Sequence, residues 1–170
     1  THGTLWTGTR PGLSHFRNGT FTTWTALDGL GRDLVGAMLQ ARDGGMWIGT
    51  LGGLTRMSDG RFQNYSRRDG LSNPIITALH QDPDGMLWIG TDGGGLNRWR
   101  KGVFKAVRAE GAALPANIYG ILADDENNLW ISSNEGVYRI IRGALDRYMD
   151  GVIPSVPIQS FGVADGMKIS

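Results

Sequence analysis

Cysteine is absent, which excludes a disulfide framework and any thiolate metal site and is compatible with either the cytoplasm or a bacterial periplasm. Histidine is nearly as scarce. His2, His15 and His80 show no i+3 or i+4 pairing and fall in different stretches of the chain, which argues against zinc. Charge of one sign is missing too: 17 basic and 16 acidic residues leave a net +1, and no basic footprint for nucleic acid forms. The one small cluster, Arg98, Arg100 and Lys101, reads as a solvated turn at the lower edge of a sheet. No apolar run suits a signal peptide or a membrane span, so membrane attachment is expected only from segments outside this sequence.

Catalytic signatures are missing as well. There is no nucleophile elbow, phosphate-binding loop or dinucleotide fingerprint. Gly93-Gly94-Gly95 lacks the following Lys-Ser/Thr and helix that would cradle phosphate, and reads as a strand connection. Asp82-x-Asp84-Gly85 and Asp124-Asp125-Glu126-Asn127 have carboxylates for calcium, yet they fall where a hairpin must turn, and the turn is the better reading. Asn18-Gly19-Thr20 and Asn64-Tyr65-Ser66 match a glycosylation triplet that chance often produces. No cofactor and no metal is expected.

Repetition is what the chain does have. Trp6, Trp47, Trp88 and Trp130 stand 41, 41 and 42 residues apart, inside LWTGT, MWIGT, LWIGT and LWISS. Each is followed by Gly-Leu or Gly-Val (Gly12, Gly53, Gly95, Gly136), then by a basic residue (His15, Arg56, Arg98, Arg139), then by a glycine turn (Gly19, Gly60, Gly102, Gly143). Phe21-x-x-Trp24, Phe62-x-x-Tyr65 and Phe104-x-x-Val107 come next, and then Asp28-Gly29-Leu30 and Asp69-Gly70-Leu71, replaced by Glu110-Gly111-Ala112 in the third copy. A period near forty residues marks one supersecondary unit used repeatedly. Segments of five to seven residues, alternating in polarity and bounded by Asp-Gly turns, read as short antiparallel strands. One unit spans strands at about 75–81, 86–91, 95–100 and 103–107. Only Arg142–Asp150 hints at a helical period.

Four short strands in a repeated unit of forty residues fit a β-propeller blade. The fold expected is therefore all-β, with about four such repeats over residues 1–170. Each tryptophan is expected as a core residue between blades, its N–H reaching a backbone carbonyl, in preference to lining an aromatic ligand cage. The recurring arginine is expected to contact a neighbouring carboxylate or carbonyl. The fourth copy carries 13 extra residues between Gly143 and Asp165, about 144–157, read as a helical turn or two decorating the outer rim in preference to a docking element or lid. The repeat phase starts in a second strand and stops where a first strand is due. That predicts a piece of a larger ring or an arc completed by another copy, with self-association through open blade edges.

The phrase Leu87-Trp88-Ile89-Gly90-Thr91…Gly95-Leu96, joined to Phe62-x-x-Tyr65-x-x-x-Asp69-Gly70-Leu71-Ser72, resembles the two-component regulator propeller repeat. The fourth copy drifts, with Ser132-Ser133 for Gly-Thr and Val137 for Leu. The resemblance implies a periplasmic sensor region of a bacterial transmembrane regulator, such as a hybrid histidine kinase or diguanylate cyclase, in a family of which some members respond to carbohydrate fragments. It implies no catalytic residue in this segment.

Because strand direction alternates, the loops at 28–33, 69–74 and 110–117 share one end of the blades with those at 9–12, 50–52, 91–94 and 133–135. A small molecule or oligosaccharide at a propeller mouth would meet these tips. The polar residues there that differ between repeats are the ligand candidates: Arg10, Arg32, Asp33, Asn73, Asp92, Asn117, Asn134 and Glu135. Tyr119 is placed either to stack on a sugar or to fill the inner core. Two other functions compete with sensing. A propeller lyase or hydrolase would need a histidine or paired carboxylates on those loops, and a pure interaction scaffold would present a flat apolar patch instead.

Overall fold

The computed structural model describes residues 4–107 and 111–167; His2 and Glu110 lie outside them. Fifteen strands and one helix follow in order among the described residues. They are β1 (Leu5–Thr9), β2 (Gly12–Arg17), β3 (Thr20–Trp24), β4 (Val35–Gln40), β5 (Met46–Thr50), β6 (Gly53–Ser58), β7 (Arg61–Tyr65), β8 (Ile76–Gln81), β9 (Leu87–Thr91), β10 (Leu96–Arg100) and β11 (Val103–Ala106). Then come β12 (Ile118–Ala123), β13 (Asn128–Ser133), β14 (Val137–Ile141), α1 (Arg142–Met149) and β15 (Ile158–Phe161). They form antiparallel sheets ordered β1-β2-β3, β4-β5-β6-β7, β8-β9-β10-β11 and β12-β13-β14-β15, hereafter blades 1 to 4. The four strands expected between residues 75 and 107 are β8 to β11, each within a residue or two.

Every blade keeps one register. The tryptophan of the second strand lies directly opposite the basic residue of the third: Trp6–His15, Trp47–Arg56, Trp88–Arg98 and Trp130–Arg139. The rings use this proximity. His15 stacks on Trp6 at 4.4 Å, and the Arg56 and Arg139 guanidinium groups lie 4.9 and 5.8 Å from the centres of Trp47 and Trp130.

Three apolar clusters fill the three junctions. Leu13, Trp6 and Trp24 of blade 1 meet Met46, Ile48 and Phe62 of blade 2. Trp47 and Leu54 of blade 2 meet Ile76, Ile89 and Phe104 of blade 3. Trp88 and Leu96 of blade 3 meet Ile118, Leu129, Ile131 and Ile158 of blade 4. Burying one such aliphatic side chain stabilises by roughly 2 kcal/mol, so each junction outweighs any turn or ion pair on the surface. Gly49 and Gly90 make the approach possible. A Cβ on either would sit 2.6 Å from the Ile76 or Ile118 methyl of the following blade.

Each innermost strand carries the same irregularity. The pairing slips between Val35 and Ala37, Ile76 and Ala78, and Ile118 and Gly120, which leaves Gly36, Thr77 and Tyr119 as bulge residues. The Thr77 hydroxyl donates to the Ile118 carbonyl of the next blade, and a Cβ on Gly36 would lie 2.9 Å from the Ile76 carbonyl oxygen. In blades 2 and 3 the bulge therefore brings one residue against the inner strand of the following blade.

Candidate functional site

The recurring Asp-Gly-Leu phrase builds the loops between blades. Asp28 accepts from the backbone N–H of Thr25 at 2.8 Å while the Thr25 hydroxyl accepts from Leu27, closing a capping box around the 3₁₀ turn Ala26–Asp28. Ser66 and Asp69 repeat it around Arg67–Asp69. Gly29 and Gly70 end these turns at φ of 107° and 105°, where a side chain is strained. Leu30 and Leu71 then bury under the following blade.

Side chains of that blade hold the loops down. The Thr55 hydroxyl accepts from the Gly31 N–H at 3.2 Å, and Asn64 donates to the Gly29 carbonyl at 3.0 Å. In blade 3 the fully buried Asn97 accepts from the Ser72 N–H at 2.9 Å and donates to its hydroxyl at 2.7 Å. The mouth loops are therefore fixed before any ligand arrives.

The eight candidates from the sequence divide by place. Asn73, Asp92 and Asn117 come together where blades 3 and 4 meet. Asp92 and Asn117 form an isolated antiparallel bridge, Asp92 donates its N–H to Ile75 at 3.0 Å, and Asn73 packs beside Gly93 and Gly94. Arg32 is exposed and lies over Gly52 across the blade 1–2 junction. Asp33 and Asn73 also serve their own loops: Asp33 accepts from the Ala26 N–H at 2.6 Å and Asn73 from the Ile75 N–H at 3.0 Å. Asn134 and Glu135 sit exposed on the turn of blade 4, where Tyr138 donates to Glu135 at 3.4 Å; burial, then the Glu135 charge, raises the phenol above its ordinary range. Arg10 is exposed on the turn of blade 1. Tyr119, two residues past Asn117, is 54% exposed and is not an inner-core residue.

The concavities lie elsewhere. A cleft of about 1100 Å³ lies on the outer side, between the outermost strand of blade 3 and the insertion, lined by Lys105, Ala106, Gly111, Tyr148, Met149 and Val152, among others. None of the eight candidates lines it. Among the described residues no group of three metal-ligating side chains occurs. His15 is engaged with Trp6, and His80 lies 3.3 Å from Asp82, toward the end of β8 away from the mouth.

Three expectations need correction. The tryptophan N–H does not go to a backbone carbonyl. Trp88 Nε1 donates to Asp82 at 2.8 Å and Trp130 Nε1 to Asp124 at 2.7 Å, each six residues back in the preceding hairpin turn. Ala41 occupies that position before Trp47, so its buried N–H has no protein partner among the described residues.

Arg98 is not solvated. It is 4% exposed and donates to Asp146 at 2.9 Å and to Asp150, while Arg100 and Lys101 stay in water. The third correction concerns the insertion, which is no passive decoration. Helix α1 buries Leu145 completely, its Asp146 with the following Asp150 grips Arg98 of blade 3, and its Arg142 donates to the buried Asp82 of blade 3 at 2.8 Å. Burial pushes the Asp146 carboxyl up in spite of Arg98, whereas the Arg98 hydrogen bond holds Asp150 down.

The comparisons follow this geometry. The model of the two component regulator propeller matches residues 29–52 and 70–93. Each match runs from one mouth loop, through the first two strands of a blade, to the next mouth loop. The extracellular domain of a putative hybrid two component system from B. thetaiotaomicron is 20% identical with a TM-score of 0.77, over 96% of this chain and 22% of that one. That of a putative one component system from the same organism is 19% identical with a TM-score of 0.71, over 96% and 24%. Virginiamycin B lyase from Staphylococcus aureus is 16% identical with a TM-score of 0.66, over 95% and 52%. The chain thus spans less than a quarter of the two extracellular domains, and at these identities the likeness is one of fold. No curated protein matches the chain. The molecule is an all-β propeller arc, two stretches of which, residues 29–52 and 70–93, match the two component regulator propeller model.

Proposed function

We propose that this arc is a non-enzymatic, ligand-sensing segment of an extracytoplasmic bacterial signalling regulator, placed in the periplasm, and that its ligand is a carbohydrate. The observation that carries the reading is the family match itself, because both matched stretches begin and end on mouth loops. The two extracellular domains of signalling systems share the fold. Asn73, Asp92 and Asn117 bring polar groups to one part of the mouth, and Tyr119, two residues past Asn117 and 54% exposed, offers a ring face for a sugar to stack on. Binding there would bias the arrangement of blades 3 and 4, and the bias would pass to whatever segment follows.

The lyase neighbour favours a second reading, in which the same mouth performs chemistry. That reading needs a base on the mouth loops, and His15 and His80 are engaged elsewhere. Calorimetric titration with a panel of neutral and acidic oligosaccharides tests the proposal. Binding is expected to weaken about 10-fold or more in Asp92→Ala and Tyr119→Ala, with the sugar recovered intact. No binding from any sugar, binding indifferent to both substitutions, or a cleaved product would refute it.

A further inference from the structure

Trp47, Trp88 and Trp130 each follow a hairpin turn whose first residue stands six places before them. In blade 4 that residue is Asp124, whose Oδ2 accepts from Trp130 Nε1 at 2.7 Å and from Asn128 Nδ2 at 2.9 Å. In blade 3 it is Asp82, which accepts from Trp88 Nε1 and from the Arg142 guanidinium, each at 2.8 Å. Both turns hold one carboxylate between an indole N–H and a second donor, and in blade 3 that donor is a cation.

Blade 2 keeps the turn but not the carboxylate. Its backbone is the same: Ala41 donates to the Gly45 carbonyl at 2.8 Å, as Asp82 donates to Met86 at 2.8 Å and Asp124 to Asn128 at 3.1 Å. Gly44 and Gly85 share a φ of 89° and 88°. Ala41 stands where the aspartates stand, and Gly45 stands where Asn128 stands.

Both donors survive these changes. Trp47 is 2% exposed, and its buried Nε1 has no acceptor among the described residues. A Cβ on Gly45 would lie 2.6 Å from Arg56 Cζ, so a charged guanidinium fills the ground of the Asn128 side chain. The carboxylate partner of Arg56, Asp43, is 71% exposed, and water screens that pair. Trp99 of blade 3 packs its ring 5.0 Å from that of Trp47 and brings a second buried N–H with no acceptor among the described residues. Buried donors beside a cation favour an anion, and charge-assisted hydrogen bonds to it are the strong ones.

We infer that the blade 2 turn binds a small monocarboxylate, the size of formate or acetate, with an oxygen accepting from Trp47 Nε1 and its charge facing Arg56. Alanine differs from aspartate by one carboxylate, which sets the size. The ion does for blade 2 what Asp82 and Asp124 do for their own blades. The turn lies at the end of the blades away from the mouth, so this site and a sugar site at the mouth stand or fall separately.

Thermal unfolding tests this, with sodium formate replacing sodium sulfate at constant ionic strength, on the parent, Ala41→Asp and Trp47→Phe. General salt effects fall on all three alike, and the difference between them is the readout. The parent is expected to gain Tm along a saturating curve, by about 4 °C at about ten times the formate Kd. Ala41→Asp carries its own carboxylate, so it should melt above the parent without formate and gain nothing from it. Trp47→Phe keeps a ring and deletes the donor, and its response should vanish; near-ultraviolet circular dichroism verifies that both variants keep the fold. A gain that persists undiminished in Ala41→Asp overturns the inference, because formate then acts elsewhere. A parent indifferent to formate and acetate overturns it as well, with Arg56 and Trp99 then closing the space beside Ala41 and Ala41→Asp melting below the parent.

Discussion

Replacing Asp82 by alanine removes one side chain from the junction of blades 3 and 4 and strands two others, Trp88 and Arg142. Asp82 is 1% exposed, with Trp88 Nε1 and Arg142 Nη1 each 2.8 Å away and His80 Nε2 at 3.3 Å. The Trp88 N–H, in a ring with no exposure, cannot turn to water, and an orphaned buried donor costs about 1–3 kcal/mol. Arg142 is 27% exposed and recovers part of its hydration, so its loss falls below the roughly 3–5 kcal/mol of a broken buried pair. A total near 3 kcal/mol is expected, or a fall in Tm of about 6–12 °C for a domain of this size. Asp82→Asn keeps an acceptor for Trp88 and loses only the charge, so it should fall between parent and alanine variant. Thermal unfolding followed by tryptophan fluorescence reads all three. An alanine variant melting within about 1 °C of the parent would refute the reasoning, and blade 2, where Ala41 leaves Trp47 without an acceptor, would then be the better description of every blade.

Gly53→Ala is expected to cost about 3 kcal/mol or more, because the new Cβ meets the Tyr65 carbonyl oxygen at 2.1 Å and φ is 137°; urea unfolding measures it, with Gly60→Ala, where the space is open, as the strain-only control. Acid stability follows the carboxylates. Hydrogen bonds from Asn128 and Trp130 hold Asp124 at about 2, so its contribution is complete above the ordinary carboxylate range and is lost as pH falls through that value. Asp124→Asn should therefore flatten the loss of stability between about pH 4 and pH 2, measured by urea midpoints at each pH. At Asp82 burial pushes the pKa up, but His80, Trp88 and Arg142 together win and lower it, so Asp82→Asn adds to the flattening in the same direction.

The tryptophan spacing made the blades legible because each residue of the repeat answers to a neighbour at fixed offset: glycine where the chain turns, leucine where the next sheet presses, aspartate and glycine where a 3₁₀ turn closes. The partner of the indole N–H was not legible. Asp82 and Asp124 carry two roles at once, turn residue and acceptor, and the turn role alone explains their presence in a hairpin. The insertion was visible by length, yet its grip on blade 3 joins Arg98 to Asp146 and Arg142 to Asp82, pairs 48 and 60 residues apart that leave no periodic trace. The bulges at Gly36, Thr77 and Tyr119 escaped for a related reason, since a slip of one residue in a short alternating strand still looks like alternation. Of the mouth candidates, the clustering of Asn73, Asp92 and Asn117 depends on how adjacent blades meet, which no single repeat encodes.

The latch from α1 also makes the junctions unequal. Blades 1 and 2, and blades 2 and 3, are held chiefly by oily contact and by loop anchors. Blades 3 and 4 add a polar clasp to theirs. In a row of units that touch only their neighbours, separation starts at the weakest joint and travels. Amide protons of β1 to β3 should therefore exchange first and those of β9 and β13 last. Heated or pulled from its ends, the molecule would peel like a zipper opened from the blade 1 side, with the paired third and fourth blades the last piece to let go.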